Sequence, residues 1–148
     1  MGLKKTLSGK IVFIDTSPLI YFIEGHSEYQ KELEEVFKAN NKGEIQLITT
    51  TLTLMEVLVQ PYKNNRKDLV EKYEQIITGS PNIEVIDIDL DIARKAAEIR
   101  AIYNLKTPDA IQVSASILQK ADIFLSNDAG FQKIKEIPVV LLGMLKSL

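Results

Sequence analysis

An α/β fold, a three-layer sandwich around a central, mainly parallel five-stranded sheet, is predicted by three features of this sequence. Short apolar runs recur at about 10–14, 45–48, 83–86, 123–125 and 139–142. Runs without alternation suit strands covered on both faces. Between them lie segments with apolar residues three and four apart, such as Leu33, Val36 and Phe37, or Ile92, Ala96 and Ile99, which read as amphipathic helices. Strands alternating with helices in this way join in parallel. Finally, 148 residues with 45% apolar and 26% charged content make one ordinary domain, 1–148, able to bury a core.

The elements follow in order. Lys10 to Ile14 forms strand one, entered directly from the basic N-terminus. Ser17 is expected to cap a helix over about 18–24, with Pro18 in its first position, where a missing N–H costs nothing, and Gly25 at its end. A second helix covers about 27–40. Gly43 opens strand two, 45–48, and the threonines after it lead into a helix at about 51–60, ended by Pro61. The helix at about 66–77 stops at Gly79-Ser80-Pro81 ahead of strand three, 83–86. Helices at about 89–103 and 107–120, the latter started by Thr107-Pro108, precede strand four, 123–125. Strand five is 139–142. In open α/β sheets ligands bind outside the carboxyl ends of the strands, so polar residues there carry the functional information.

Composition narrows the chemistry. With no cysteine and a single histidine, His26, the chain lacks disulfides, thiolate chemistry and the usual zinc ligands. No run is long and apolar enough for a membrane span, and the N-terminus lacks the apolar stretch and cleavage site of a signal peptide. The formal net charge of −2 does not advertise a nucleic-acid binder.

Four carboxylates stand out. Asp15 sits where strand one should end; Asp is a good helix cap, but Ser17 is better placed for that role. Glu56 is the only charge between Ile45 and Tyr62, and on a helix it shares a face with Leu52, Met55 and Val59. That face is expected to point to the core, where an unpaired carboxylate needs a partner, a proton or a metal. Asp109 lies in a first helical turn, where negative charge also suits the helix dipole. Asp128 follows strand four in Ser126-Asn127-Asp128, which is also ordinary turn material. A parallel sheet brings such positions to one rim, where four acids repel and raise one another's pKa. A divalent cation removes that repulsion, and ligation by oxygen alone favours Mg²⁺ or Mn²⁺.

The stretches IDTSPLI, LTLMEVLV, TPDAIQVSASI and ADIFLSNDAGFQKI, in this order over nearly the whole chain, resemble the PIN-domain nucleases, and within them the VapC-like toxins of toxin–antitoxin pairs. Carried over by position, the family's acidic metal-binding and catalytic residues are Asp15, Glu56, Asp109 and Asp128, and Thr16 and Ser126 match its supporting hydroxyls. Ser126 replaces a threonine more usual there but keeps the hydroxyl. The resemblance implies strand order 3-2-1-4-5, a single PIN-like domain and metal-dependent cleavage of RNA to a 5′-phosphate and a 3′-hydroxyl. It further implies a homodimer, a cognate antitoxin and a cytoplasmic location. Removing the four acids from the net −2 leaves +2 on the rest of the chain. Lys63, Arg66 and Lys67 beyond the Glu56 helix, and Lys133 and Lys135 after Asp128, are candidate contacts to phosphate.

Other readings fit less well. Asp87-Ile88-Asp89-Leu90-Asp91 begins like a calcium loop but has Ile92 where the sharp turn needs glycine. An aspartyl-phosphate enzyme usually carries a second Asp where this chain has Ser17, and no Gly-rich phosphate loop is present. Two alternatives stay open: a nuclease of the same fold acting in RNA maturation outside a toxin pair, and a non-catalytic RNA- or protein-interaction module.

Overall fold

The computed structural model describes residues 2–148. In chain order the elements are α1 (Leu3–Leu7), β1 (Ile11–Ile14), α2 (Thr16–Glu24), α3 (Gln30–Asn41), β2 (Gln46–Thr50), α4 (Thr51–Lys63) and α5 (Lys67–Gly79). They continue with β3 (Ile83–Ile86), α6 (Leu90–Tyr103), α7 (Thr107–Leu118), β4 (Ile123–Ser126), a 3₁₀ turn (Ala129–Lys133), β5 (Val139–Leu141) and α8 (Leu142–Leu145). The sheet order is β3-β2-β1-β4-β5, and every pairing is parallel.

Side chains of β1 alternate between two cores, as the pleat requires. Val12 and Ile14 face a core built with Leu19, Leu33, Val36, Val57, Tyr73 and Ile77. Phe13 faces the other, with Ile48, Ile99, Val113 and Phe124, and stacks on Phe124 at 5.1 Å between ring centroids. Both faces of the central strand are therefore sealed, which is why it reads as an unbroken apolar run. From β1 the chain runs outward to β2 and β3, then crosses back to β4 on the other side. The junction of β1 and β4 is thus the switch point of the sheet, where such folds form their ligand crevices.

Local differences from the sequence reading have physical causes. A short helix, α1, precedes β1; Leu3 and Leu7, four apart, are buried on one face. Helix α2 begins at Thr16, with Asp15 in the cap position, so Ser17 is not the cap and Pro18 sits third. Proline is tolerated throughout a first turn, because none of those N–H groups has a partner within the helix. Thr107 is likewise inside α7 rather than capping it; Lys106 holds that place. Helix α3 starts at Gln30 rather than near Ser27, and Pro61 lies within α4, which runs on to Lys63.

Candidate active site

Asp15 follows β1 directly, and its N–H donates to the Leu125 carbonyl at 2.9 Å, extending the β1–β4 pairing by one step. The carboxylate is thereby fixed at the sheet's rim. Its side chain makes no capping bond. Instead Oδ1 accepts from Gln112 Nε2 at 3.2 Å and Oδ2 from the Ser126 hydroxyl at 2.9 Å. Burial pushes its pKa above the usual carboxylate value; the hydrogen bonds from the Thr16 backbone, Gln112 and Ser126 oppose the rise, and the charge of Asp128 adds to it.

The other three acids come from three further elements. Glu56, half-buried on α4, accepts at Oε1 from the Thr16 hydroxyl at 2.7 Å. Asp109 stands in the first turn of α7; burial raises its pKa, the charges of Asp15 and Asp128 raise it further, and Lys106 opposes them. Asp128 follows β4, where its N–H donates to Ser126 Oγ at 3.1 Å and its Oδ1 accepts from Gly130 N–H at 2.8 Å. All four acids line one cleft of about 210 Å³. The geometry therefore brings together all the acids singled out in the sequence, with Thr16 bonded to Glu56 and Ser126 to both Asp15 and Asp128.

The helix face that carries Glu56 does not point to the core. Met55, Val59 and Tyr62 are 55%, 42% and 63% exposed, so the face around Glu56 is an outer one. Helix α4 buries Thr53, Val57 and Pro61 instead. Glu56 is not a charge forced into the core but a side chain on the cleft wall, held by a hydroxyl.

The five basic candidates stand elsewhere. None of Lys63, Arg66, Lys67, Lys133 or Lys135 lines the cleft. Lys63 follows Glu56 by seven residues, about 10 Å along the helix axis. Arg66 is engaged in a two-pronged pair with exposed Asp68, both bonds 3.0 Å. Lys106, in the cap position of α7, opposes the pKa rise at Asp109, and no local pattern in the sequence marks it. Gln112 and Thr53 also lie outside the residues singled out in the sequence. Gln112 is the one large polar residue in Ala110-Ile111-Gln112-Val113-Ser114-Ala115, and that contrast was the available signal.

Among the described residues, no three of the acids stand ready-made as ligands of a bare ion. Their donor chemistry nevertheless suits a hydrated one. Mg²⁺ characteristically keeps several waters and takes only one or two carboxylates. Raised pKa values at Asp15 and Asp109 mark a place where positive charge is wanted.

Gly130 bears on Asp128 by sterics as well as by its N–H. A Cβ there would lie 3.1 Å from Asp128 Oδ1. Gly130→Ala is expected to displace that carboxylate and weaken Mn²⁺ binding about tenfold, with an unchanged melting temperature. Titration of Mn²⁺ into wild type and variant checks this, and equal affinities would contradict it.

The PIN domain family model matches residues 12–137. No curated protein matches the sequence. Among solved structures, VapBC2 of Rickettsia felis bound to a promoter DNA fragment is similar, at TM-score 0.71 and 16% identity over 88% of this chain and 98% of that one. A toxin–antitoxin complex of Klebsiella pneumoniae matches at TM-score 0.66 and 24% identity, over 88% and 97%. Mycobacterium tuberculosis VapC20, a toxin that cleaves the sarcin–ricin loop, matches at TM-score 0.67 and 14% identity, over 86% and 98%.

Proposed function

Because this chain belongs to the PIN domain family of nucleases, we propose that it is a metal-dependent endoribonuclease and the toxin of a toxin–antitoxin pair. The observation that carries the reading is the convergence of four carboxylates, from four separate elements, in one cleft at the switch point of the sheet. No fold requirement calls for gathering carboxylates whose charges add to the burial that already raises the pKa of Asp15 and Asp109. The toxin role is supported by the likeness to toxin–antitoxin complexes. A cognate antitoxin and a second copy of the chain are the proposed protein partners, and the exposed apolar side chains of Met55, Val59 and Tyr62 on α4 suit protein contact. RNA is met in the cytoplasm, the proposed location.

In this account Asp15, Asp109 and Asp128 hold one or two Mg²⁺ or Mn²⁺ ions. A divalent ion supplies a more acidic water and offsets charge on the phosphate. Asp15 is oriented for its part by Ser126 and Gln112, one on each oxygen. Glu56 has Oε1 engaged by Thr16, which leaves Oε2 to take the proton of the attacking water. Water attacks phosphorus in line, the bond to the 3′-oxygen breaks, and that oxygen gains a proton from solvent. Lys106, whose charge acts on Asp109, is the proposed contact to a neighbouring phosphate, and Lys63, Arg66, Lys67, Lys133 and Lys135 are proposed outer contacts along the strand.

Analysis of the ends of a cleaved RNA tests this directly. A 5′-phosphate and a 3′-hydroxyl are expected. A 2′,3′-cyclic phosphate would mean that the RNA's own 2′-hydroxyl attacked, and would overturn the assignment of Glu56 to a water.

A further inference from the structure

Behind the carboxylates runs a line of buried hydroxyl and amide groups. The Thr53 N–H donates to Thr50 Oγ1 at 3.2 Å. The Thr50 hydroxyl donates to Gln112 Oε1 at 2.6 Å. With Oε1 so used, the amide nitrogen of Gln112 faces Asp15 Oδ1 at 3.2 Å and Thr53 Oγ1 at 2.6 Å, one proton for each. The Thr53 hydroxyl then donates to Thr16 Oγ1 at 3.1 Å, and Thr16 to Glu56 Oε1 at 2.7 Å. The branches end on two different carboxylates.

From this geometry we propose that Gln112 is a positioning residue, which through Thr53 and Thr16 holds Asp15 and Glu56 in register with each other. Gln112 is 2% exposed, and Thr50 and Thr53 are 0% exposed, so water does not substitute for these partners. The amide, carried on α7, bonds to Asp15 at the end of β1, Thr50 at the end of β2 and Thr53 on α4, and so ties α7 to segments far away in sequence. A buried glutamine serving the fold alone needs only satisfied atoms. Here the amide nitrogen serves a candidate metal-holding acid, Asp15, and a hydroxyl, Thr53, that leads through Thr16 to another, while the amide oxygen is held by the capping residue of α4, Thr50. Removing the amide frees Asp15 from one side and frees the Thr53 and Thr16 hydroxyls to turn away from Glu56.

This inference rests on the reading of the acidic cleft as a metal site. The test uses Mn²⁺ alone, titrated into the full chain without RNA, for wild type, Gln112→Met, Thr53→Val and Thr53→Ser, alongside thermal melts. Gln112→Met and Thr53→Val conserve volume and delete the hydrogen bonds; Thr53→Ser restores the hydroxyl. The expected result is about a tenfold rise in the Mn²⁺ dissociation constant for the first two, with Thr53→Ser within about twofold of wild type. Should Gln112→Met fail to fold, the Thr53 pair decides the matter. Thr53→Val binding Mn²⁺ as wild type does would overturn the proposal. Wild type that binds Mn²⁺ but cuts no RNA would sink the nuclease reading and leave the positioning role to the affinities. Wild type that binds no Mn²⁺ would sink both.

Discussion

Asp15→Asn is expected to abolish the proposed RNA cleavage, by about 10³-fold or more, and at the same time to make the metal-free protein harder to melt. Both effects have one origin. Asp15 is placed by the sheet itself, through its N–H to Leu125, at a point where burial and the neighbouring Asp128 disfavour its charge. A carboxyl whose folded pKa is raised contributes stability that is present below its unfolded pKa and lost as pH rises through the folded value. At neutral pH without metal, the charged form therefore costs stability, and the amide of asparagine, nearly the same in shape, does not carry that cost. In chelator at pH 7 the variant should melt higher, by about 2–4 °C for each kcal/mol relieved in a chain of this size. The gap should close as pH falls below about 4, where the wild-type carboxyl is also neutral in both states. Circular dichroism melts at the two pH values check this. A variant that melts lower at pH 7 would show that the carboxylate stabilises the fold, and would remove the argument that the cleft is built for a cation.

Glu56→Gln is expected to lose activity for a different reason. The amide oxygen still accepts from Thr16, so the side chain stays in place. What disappears is the second oxygen's capacity to take a proton, an effect of about 10²–10⁴-fold for a general base. Mn²⁺ affinity should fall less than in Asp15→Asn, because Glu56 stands on the cleft wall while Asp15 is gripped from both sides at the rim. Single-turnover cleavage at saturating Mn²⁺ separates the two roles. A Glu56→Gln enzyme that recovers wild-type rates once saturated with metal would make Glu56 a ligand and not a base.

The fold was largely legible because strands covered on both faces announce themselves as unbroken apolar runs, and all five are present with parallel pairing. The order of the strands was not written in their periodicity; the ordered motifs that resemble PIN domains supplied it. Helix starts were less legible, because Ser17-Pro18 and Thr107-Pro108 look like caps, yet proline fits anywhere in a first turn. The 3₁₀ turn after Asp128 depends on a side-chain bond to Gly130 that only the folded geometry displays. At Glu56 the expectation of a core-facing helix face fails. An apolar helical face normally marks the core, but Met55, Val59 and Tyr62 turn outward. The hydroxyl and amide network was invisible for the plainest reason. Gln112 meets Thr53 across 59 positions of sequence and Asp15 across 97, distances over which no local pattern extends.

The measurement that tests the central claim most directly is cleavage of end-labelled structured and single-stranded RNAs by purified wild type and Asp15→Asn, each in Mg²⁺, Mn²⁺ and chelator. Cutting by wild type that appears with either ion, stops in chelator and is absent from the variant under every condition is the predicted result. Equal cutting by wild type and variant, or cutting by wild type that persists in chelator, would contradict it.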